Sequence, residues 1–260
     1  MKIAITGKGG VGKTTLAGTL ARLFAKDGKK VFAVDADPDA NLASAIGIPL
    51  EKSKKLIPFS KMKSLARERT GAEDGYGSFF ILNPKVDDLP EAYCLEHLGV
   101  KLLTMGTIEL GGGGCVCAEN ALIKRLMQHL LIQNDEVVIM DMEAGIEHLG
   151  RGTAESVDAL IVVVEPGQRS IQTAHQINAL AQDIGIKRVF IVASKIKDAQ
   201  DLNFIQTQLK EFTHLGFITF SDAVREADMN GSSPADTISP VIEEINVIKN
   251  ELIKIFTYRV

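Results

Sequence analysis

Gly7-Lys8-Gly9-Gly10-Val11-Gly12-Lys13-Thr14-Thr15 follows a short apolar run and opens a helical pattern that extends from about Lys13 to Asp27. This is the G-x-x-x-x-G-K-[ST] pattern of a phosphate-binding loop, in its strand-to-helix setting. The glycines let backbone N–H groups turn towards phosphate oxygens, and the positive end of the helix adds to that attraction. We expect Lys13 to reach the β- and γ-phosphates, Thr14 to ligate Mg²⁺ and Thr15 to bond the α-phosphate. The loop therefore predicts nucleotide binding.

Short apolar runs alternate with helical patterns along the whole chain. Runs such as 137–140 and 160–164 are apolar throughout, which is typical of strands covered on both faces of a parallel sheet. We predict strands at Lys2–Thr6, Lys30–Val34, Phe79–Leu82, Lys101–Thr104, Glu136–Asp141, Ala159–Glu165, Arg188–Ser194 and Gly216–Phe220. The first helix should carry Leu16, Leu20, Leu23 and Phe24 on one apolar stripe. The last helix should begin at about Pro240. The pattern predicts an α/β fold with a doubly wound, mostly parallel sheet flanked by helices, whose ligands bind at the carboxyl ends of the strands.

The composition is that of an ordinary globular chain, with 45% hydrophobic and 24% charged residues among 260. It contains no linker, low-complexity break or internal repeat, so we predict one P-loop ATPase domain over residues 1–260. Residues 51–77 fit the strand–helix pattern worst and are expected to form a surface insertion. The Lys and Arg side chains of this segment suit either a solvated surface or a docking surface for an acidic partner.

The overall charge and hydropathy exclude several classes of partner. A net charge of −4 disfavours nucleic acid, because proteins that bind phosphate backbones usually carry a basic excess. There is no apolar run of about 18 residues, so no membrane-spanning helix is expected. The N-terminal sequence lacks the layout of a signal peptide, and the three cysteines suit a reducing compartment. We expect a cytoplasmic protein that binds neither nucleic acid nor membrane.

Lys8 is a second lysine inside the phosphate loop, in the sequence K-G-G-V-G-K-T-T. This deviant Walker A motif resembles that of the MinD/ParA/nitrogenase-iron-protein class of ATPases. The resemblance implies that Lys8 reaches across a dimer interface to the nucleotide of the partner. Such a cation supplied in trans would stabilise charge that develops on the transferred phosphoryl group, as an arginine finger does.

Two further segments carry acids at the ends of predicted strands. In Asp35-Ala36-Asp37-Pro38-Asp39-Ala40-Asn41, a carboxylate can orient or deprotonate the attacking water, and resemblance to the class assigns this role to Asp37. The second strand ends at Asp141, the Walker B pattern, which should hold Mg²⁺ through water. The loop that follows is the expected nucleotide sensor, with the N–H of Gly145 presented to the γ-phosphate.

Cys115-Val116-Cys117 follows four consecutive glycines. A C-x-C pair makes a poor disulfide, but two thiolates at this spacing can ligate one soft metal. Both tetrahedral Zn²⁺ and square-planar Ni²⁺ accept four ligands, and a two-fold dimer supplies the missing pair on its axis. The motif alone leaves the alternative open that these are two buried thiols in a tight turn.

The combined motifs resemble one family more closely. K-G-G-V-G-K-T-T, D-A-D-P-D-A-N, C-V-C-A-E-N and D-M-E-A-G-I-E-H-L-G-R-G-T are similar, in this order, to those of the CooC family, the maturation ATPases of carbon monoxide dehydrogenase. The resemblance spans nearly the whole chain. It implies a nucleotide- or metal-promoted homodimer that binds ATP and Mg²⁺. It also implies that Cys115 and Cys117 of both subunits bind Ni²⁺ or Zn²⁺, and that the dimer supports nickel insertion into a client enzyme.

The sequence departs from the class at the expected base-binding segments. Ser194-Lys195 stands where the class usually has Asn-Lys, so Ser194 and Lys195 are predicted to bind the nucleotide with an open preference between ATP and GTP. Two other functions stay open. One is an iron–sulfur carrier or scaffold ATPase, and the other is a positioning ATPase of the MinD or ParA kind. The mixed charges of the last helix disfavour a membrane anchor.

Overall fold

The computed structural model describes residues 1–37, 40–73, 79–106, 118–132, 136–146, 149, 156–237 and 239–257. Cys115, Cys117 and Asp39 of the predicted site segments lie outside these ranges. The described strands are β1 (Lys2–Gly7), β2 (Val31–Asp35), β3 (Leu95–His97), β4 (Val100–Thr104), β5 (Val137–Asp141), β6 (Ala159–Val164), β7 (Val189–Ile196) and β8 (Thr213–Thr219). They form one sheet in the order β3-β4-β2-β5-β1-β6-β7-β8.

Neighbouring strands of this sheet are parallel except for the edge pair β3–β4, so the predicted doubly wound, mostly parallel α/β fold is confirmed. β1 has β5 on one side and β6 on the other. The carboxyl ends of β2, β5, β1, β6 and β7 therefore lie along the same edge of the sheet. This arrangement places the phosphate loop between the segments that follow β5 and β6.

Helices cover both faces of the sheet. They are α1 (Lys13–Lys26), α2 (Leu42–Ile46), α3 (Leu50–Ser53), α4 (Lys63–Thr70), α5 (Leu89–Tyr93), α6 (Ala118–Ile132), α7 (Gln168–Asp183), α8 (Ala199–Gln208), α9 (Asp222–Met229) and α10 (Pro240–Thr257), with 3₁₀ turns at Phe59–Lys61 and Pro234–Asp236. The predicted start of α1 and of α10 is confirmed. No helix in the described ranges is long and apolar enough to cross a membrane.

The core consists of two apolar layers that follow the period-2 alternation of the strands. On β1, Ile3 and Ile5 face the layer that α1 and α10 complete, whereas Ala4 faces the layer of α4, α6 and α7. The apolar stripe predicted on α1 is buried at Leu16, Leu20 and Phe24. Burial of both sheet faces explains why β5 and β6 are apolar throughout.

Two sequence predictions about strands were wrong. Phe79–Leu82 is not a strand: Phe79, Ile81 and Leu82 are exposed, because the run pairs with no strand of the sheet. The edge position on that side of the sheet belongs to Leu95–His97, a strand that the sequence analysis missed because it is short and half polar. A strand needs hydrogen bonds between its backbone groups and those of a neighbouring strand. An apolar run without such a neighbour does not form a strand, whatever its local composition.

Residues 51–77, the expected surface insertion, contain α4 and a 3₁₀ turn in their described part. Many of the Lys and Arg side chains here are exposed, but Phe59, Leu65 and Ala66 are buried in the layer that α6 completes. The segment therefore contributes part of the core on this face.

Candidate functional site

The phosphate loop connects β1 to α1 through backbone conformations that favour glycine. Gly12 caps the start of α1 with φ +99°, in the left-handed region that side chains rarely adopt. The Leu16 N–H donates to the Gly12 carbonyl at 3.0 Å, which begins the helical ladder. Val11 is fully buried and anchors the loop in the core. Glycine at the helix start leaves N–H groups of α1 pointing out of the loop, as an anion site requires.

The loop lines one end of a cavity of about 900 Å³. The cavity contains most of the predicted nucleotide-binding residues, namely Gly9, Gly10, Gly12, Lys13, Thr14, Thr15, Ser194 and Lys195. Its opposite end is built by the segment after β8, with Phe220, Val224 and Pro234 among the lining residues. One end is thus cationic and rich in N–H groups, and the other carries apolar side chains. The cavity suits an elongated anion with a flat apolar group, as a nucleotide has.

Lys13 is buried, and its ammonium donates to the carbonyl of Lys8 at 3.4 Å. This contact folds the Lys13 side chain back over the loop. A phosphate group bound in the loop would offer stronger, charged acceptors in place of that carbonyl. Lys13 is therefore positioned to exchange one backbone acceptor for phosphate oxygens.

Asp141 ends β5 in a buried position close to Thr14 and Lys13. Neither of its carboxylate oxygens has a hydrogen-bond partner of ordinary geometry among the described residues. Burial is the largest cause that raises the pKa of this carboxyl to about 6, and the Thr14 hydroxyl and the Lys13 charge act in the opposite direction. A buried carboxylate with both oxygens unpartnered, beside a threonine hydroxyl, fits the oxygen ligands of a hard divalent cation such as Mg²⁺. Asp141 and Thr14 are the residues that would hold it.

Asp35, the neighbour of Asp141 across the β2–β5 ladder, organises the segment that follows β2. Its carboxylate accepts from the N–H of Asp37 at 3.3 Å and from the N–H of Leu42 at 3.0 Å. Burial, followed by the charge of Asp141, raises the pKa of Asp35 to about 7. Asp35 therefore fixes both ends of the segment that carries Asp37 and Asn41. These two residues both line the cavity.

The turn after β5 is attached to β1 through Thr6. The Thr6 hydroxyl contacts the carbonyls of Glu143 and Gly145, at 2.8 and 2.9 Å. The N–H of Gly145 is directed to the Glu143 carbonyl at 2.7 Å and to the Thr6 hydroxyl at 3.3 Å. The cavity lining includes Glu143 and Ala144 but not Gly145. A contact between this N–H and a γ-phosphate would require these bonds to break.

Glu165 follows β6 on the other side of the phosphate loop. One of its carboxylate oxygens lies 3.0 Å from the ammonium of Lys8, and the other lies 3.6 Å from that of Lys195. Its own N–H donates to the hydroxyl of the buried Ser170 in α7, at 3.2 Å. Lys195 has φ +58°, which is uncommon for a residue with a side chain. Lys8, predicted to act in trans, is thus paired with a carboxylate of its own chain.

Ser194, where the sequence departs from the class, is one of the residues that line the cavity. Ser194 is buried against the phosphate loop, so that a Cβ added at Gly12 would lie 3.3 Å from its hydroxyl oxygen. Phe220 is half exposed, and the Lys197 ammonium lies 5.4 Å from the centre of its ring. Arg225 and Asp228 add charged groups to the lining. Ser194 and the segment after β8 thus both contribute polar groups to the cavity lining.

No group of three or more His, Cys, Asp or Glu side chains suited to a metal ion occurs within the described ranges. The predicted metal ligands Cys115 and Cys117 lie outside those ranges. The third cysteine, Cys94, is half-buried with its sulfur 3.7 Å from the Glu91 carbonyl, and burial raises the pKa of its thiol. Its environment is that of a packed thiol.

Sequence reasoning missed the roles of Thr6 and Glu165 and left that of Asp35 undecided. Glu165 carries the same signal as Asp141, an acid directly after a wholly apolar strand. Asp35 ends a buried strand in the same way. Thr6 had no such signal, because its partners are backbone carbonyls far along the chain.

Comparison with known proteins agrees with this architecture. The model of the CobQ/CobB/MinD/ParA nucleotide binding domain matches residues 2–235. The chain is 54% identical to the carbon monoxide dehydrogenase accessory protein CooC of Rhodospirillum rubrum, over 94% of this chain and 92% of that protein. It is 45% identical to an uncharacterized ATP-binding protein of Methanocaldococcus jannaschii, over 98% of both.

A solved structure of the MinC:MinD cell division protein complex of Aquifex aeolicus has the same fold. It superimposes with a TM-score of 0.69 at 20% identity, and the match covers 97% of this chain and 95% of that one.

Proposed function

Since the chain belongs to the CobQ/CobB/MinD/ParA family of nucleotide-binding domains, we propose that it acts as a dimeric, metal-binding ATPase of the cytoplasm. Its proposed task is to couple ATP binding and hydrolysis to nickel insertion into a carbon monoxide dehydrogenase-type enzyme. The supporting observation is a cavity lined by Lys13, Thr14 and Asp37, with the buried Asp141 close to Thr14 and Lys13, in a chain 54% identical to CooC. Residues 1–260 are proposed to act as one domain.

Hydrolysis is proposed to depend on three side chains of the cavity and its rim. Lys13 binds the phosphates, Asp37 directs water at the γ-phosphate, and Lys8 contacts the nucleotide of the partner subunit. Asp35 supports this assignment because its carboxylate accepts a hydrogen bond from the N–H of Asp37. Bound Mg²⁺ would neutralise charge on the phosphate oxygens. Because Lys8 is proposed to act on the nucleotide of the partner subunit, the nucleotide site of a single subunit lacks this one cation.

The metal part of the proposal depends on the C-x-C pair. Cys115 and Cys117 from each of two subunits would supply four thiolates for one Ni²⁺ or Zn²⁺ ion, which is the cargo. The Cys115 motif lies between β4 and α6 in the chain, and β4 lies next to β2, which carries the Asp37 segment. We propose that a change in the Asp37 segment on hydrolysis is relayed to the metal site.

The test measures Ni²⁺ and Zn²⁺ content together with molecular mass, anaerobically, with and without nucleotide. Wild type is compared with Cys115→Ser/Cys117→Ser, and Cys94→Ser serves as the matched control because its thiol is packed elsewhere. We expect one metal per dimer in wild type and in Cys94→Ser, and none in the double variant. Equal metal content in all three proteins would refute the shared thiolate site. Iron with cluster absorbance would favour a scaffold ATPase instead.

A second measurement addresses the coupling. Metal affinity should differ between the ATP-bound and ADP-bound protein, because coupling between two sites is reciprocal. Asp37→Asn should keep nucleotide binding, lose hydrolysis and fail to activate a nickel-depleted client. Equal metal affinity in the two nucleotide states would remove the thermodynamic basis of the relay, even if the chain hydrolyses ATP.

A further inference from the structure

Glu165, Lys8 and Lys195 form a charged cluster beside the phosphate loop, called here the Glu165 cluster. The strand order creates it, because β6 pairs with β1 on one side and with β7 on the other. Gly7 lies opposite Val163, and Ala193 lies opposite Val164. The segments that follow these three strands therefore meet at one point, where a single carboxylate is shared by two ammonium groups.

The backbone of Glu165 is anchored to α7. The Glu165 N–H is bonded to the hydroxyl of Ser170, a buried residue in the first turn of α7. The Glu165 side chain is about one quarter exposed, whereas the side chains of Lys8 and Lys195 are each about 40% exposed. The acid is thus the least exposed member of the cluster, on an anchored stretch of backbone.

Lys8 cannot stay at this carboxylate and also reach the nucleotide of another subunit. Resting on the proposed function, we propose that Glu165 is a positioning residue that holds Lys8 within its own chain and so opposes nucleotide-driven dimer closure. Closure then requires the Lys8–Glu165 contact to break in both subunits, which shifts the equilibrium towards the open monomer by the free energy of the two contacts. Glu165 thereby sets the protein concentration at which ATP closes the dimer.

The contact between Lys13 and the carbonyl of Lys8 provides a link to nucleotide binding. While Lys13 donates to that carbonyl, the backbone of Lys8 is fixed at 3.4 Å from the Lys13 ammonium. Phosphate binding draws Lys13 away and frees the Lys8 backbone. Nucleotide thus loosens one restraint on Lys8, and the pair with Glu165 is the restraint that remains.

The experiment measures the dimer dissociation constant by sedimentation equilibrium, with saturating non-hydrolysable ATP analogue and Mg²⁺. Wild type is compared with Glu165→Gln, Lys195→Gln and the double variant Glu165→Gln/Lys195→Gln. A partly exposed ion pair predicts that Glu165→Gln tightens the dimer by about 2–5-fold at low ionic strength. The gain should shrink in 0.5 M KCl, where the Debye length falls to roughly 4–5 Å.

The double variant separates the specific pair from a general charge effect. It has the same net charge as wild type, but it lacks the partner of Lys8. If the double variant forms a tighter dimer than wild type, net charge is not the cause and the loss of the Lys8 contact is responsible. A gain that disappears there, or a dimer that Glu165→Gln leaves unchanged or weakens, overturns the proposed role of Glu165. If wild type itself forms no dimer with the analogue, the dimeric ATPase fails as well.

Discussion

Replacement of Asp141 by Asn should make the chain more stable without ligand and less responsive to Mg²⁺–nucleotide. Asp141 is buried, neither of its carboxylate oxygens has a hydrogen-bond partner of ordinary geometry within the described ranges, and its pKa is raised from 3.8 to about 6. At pH 7.5 the carboxylate is ionised, which costs the folded chain about 3 kcal/mol at about 1.4 kcal/mol for each tenfold change in the equilibrium. A buried amide without partners costs about 1–2 kcal/mol of its own. The expected net gain is therefore about 1–2 kcal/mol.

The sign of the pH dependence follows from the raised pKa. The folded chain prefers the protonated carboxyl, so the stability that this group contributes is fully present below pH 3.8 and is lost as pH rises through about 6. The advantage of Asp141→Asn should thus grow between pH 4 and 7 and then stay constant. Removal of the Asp141 charge also relieves Asp35, whose pKa the same charge helps to raise.

Thermal melts without nucleotide from pH 4.5 to 8 provide the measurement. For a chain of this length, 1–2 kcal/mol corresponds to an increase in Tm of about 2–4 °C at pH 7.5. Asp183→Asn, an exposed position with the same change in charge, is the control and should show no such rise. Saturating Mg²⁺–ADP should raise the Tm of wild type and have a much smaller effect on Asp141→Asn. A Tm for Asp141→Asn that is unchanged at pH 7.5, or raised equally at pH 4.5, would refute the reasoning.

Three further predictions concern residues in the helices and loops around the site. Lys249 is buried and contacts the carboxylate of Asp27, so Asp27→Ala should cost about 1–3 kcal/mol in urea unfolding, whereas Lys249→Met should be nearly neutral. Gly12→Ala should lose nucleotide binding in calorimetry and about 1–2 kcal/mol of stability, because φ is +99° at this position. Arg22 bonds the carbonyl that ends α2 and the carboxylate of Asp236; Arg22→Ala should speed amide exchange in α2 and leave exchange in β5 unchanged.

The sequence was sufficient for those parts of the fold that depend on local pattern. The phosphate loop, the stripe of α1 and the apolar strands β5 and β6 each follow from a few consecutive residues, and the structure confirms them. It failed at Phe79–Leu82, where the local pattern is that of a strand but the sheet offers no partner. Whether a segment forms an edge strand depends on whether a neighbouring strand can pair with it. The half-polar β3 pairs with β4 although its own sequence is a weak strand former.

In the candidate site too, the sequence predicted the residues that have a local signal and missed a contact that depends on the order of the strands. Lys13 and Thr14 were found by motif and Asp37 by resemblance to the class, and all three line the cavity. The pair of Lys8 with Glu165 was not predicted, because the two residues are 157 positions apart and meet only through the order of the strands. Sequence patterns report which residue ends a strand, whereas the partner of that residue depends on which strand is adjacent.

The strand order also explains why three acids in equivalent positions behave differently. Asp35, Asp141 and Glu165 each stand at the carboxyl end of an apolar strand, but β2 and β5 lie on one side of β1 and β6 lies on the other. On the first side, two buried carboxylates lie on adjacent strands; burial raises the pKa values of both, and the charge of Asp141 raises that of Asp35 further. On the second side, two lysines already surround the carboxylate. The phosphate loop thus lies between a site that suits an added divalent cation and one that holds a lysine in place. A nucleotide that recruits the cation on one side and draws Lys13 from the Lys8 carbonyl would act on both sides at once.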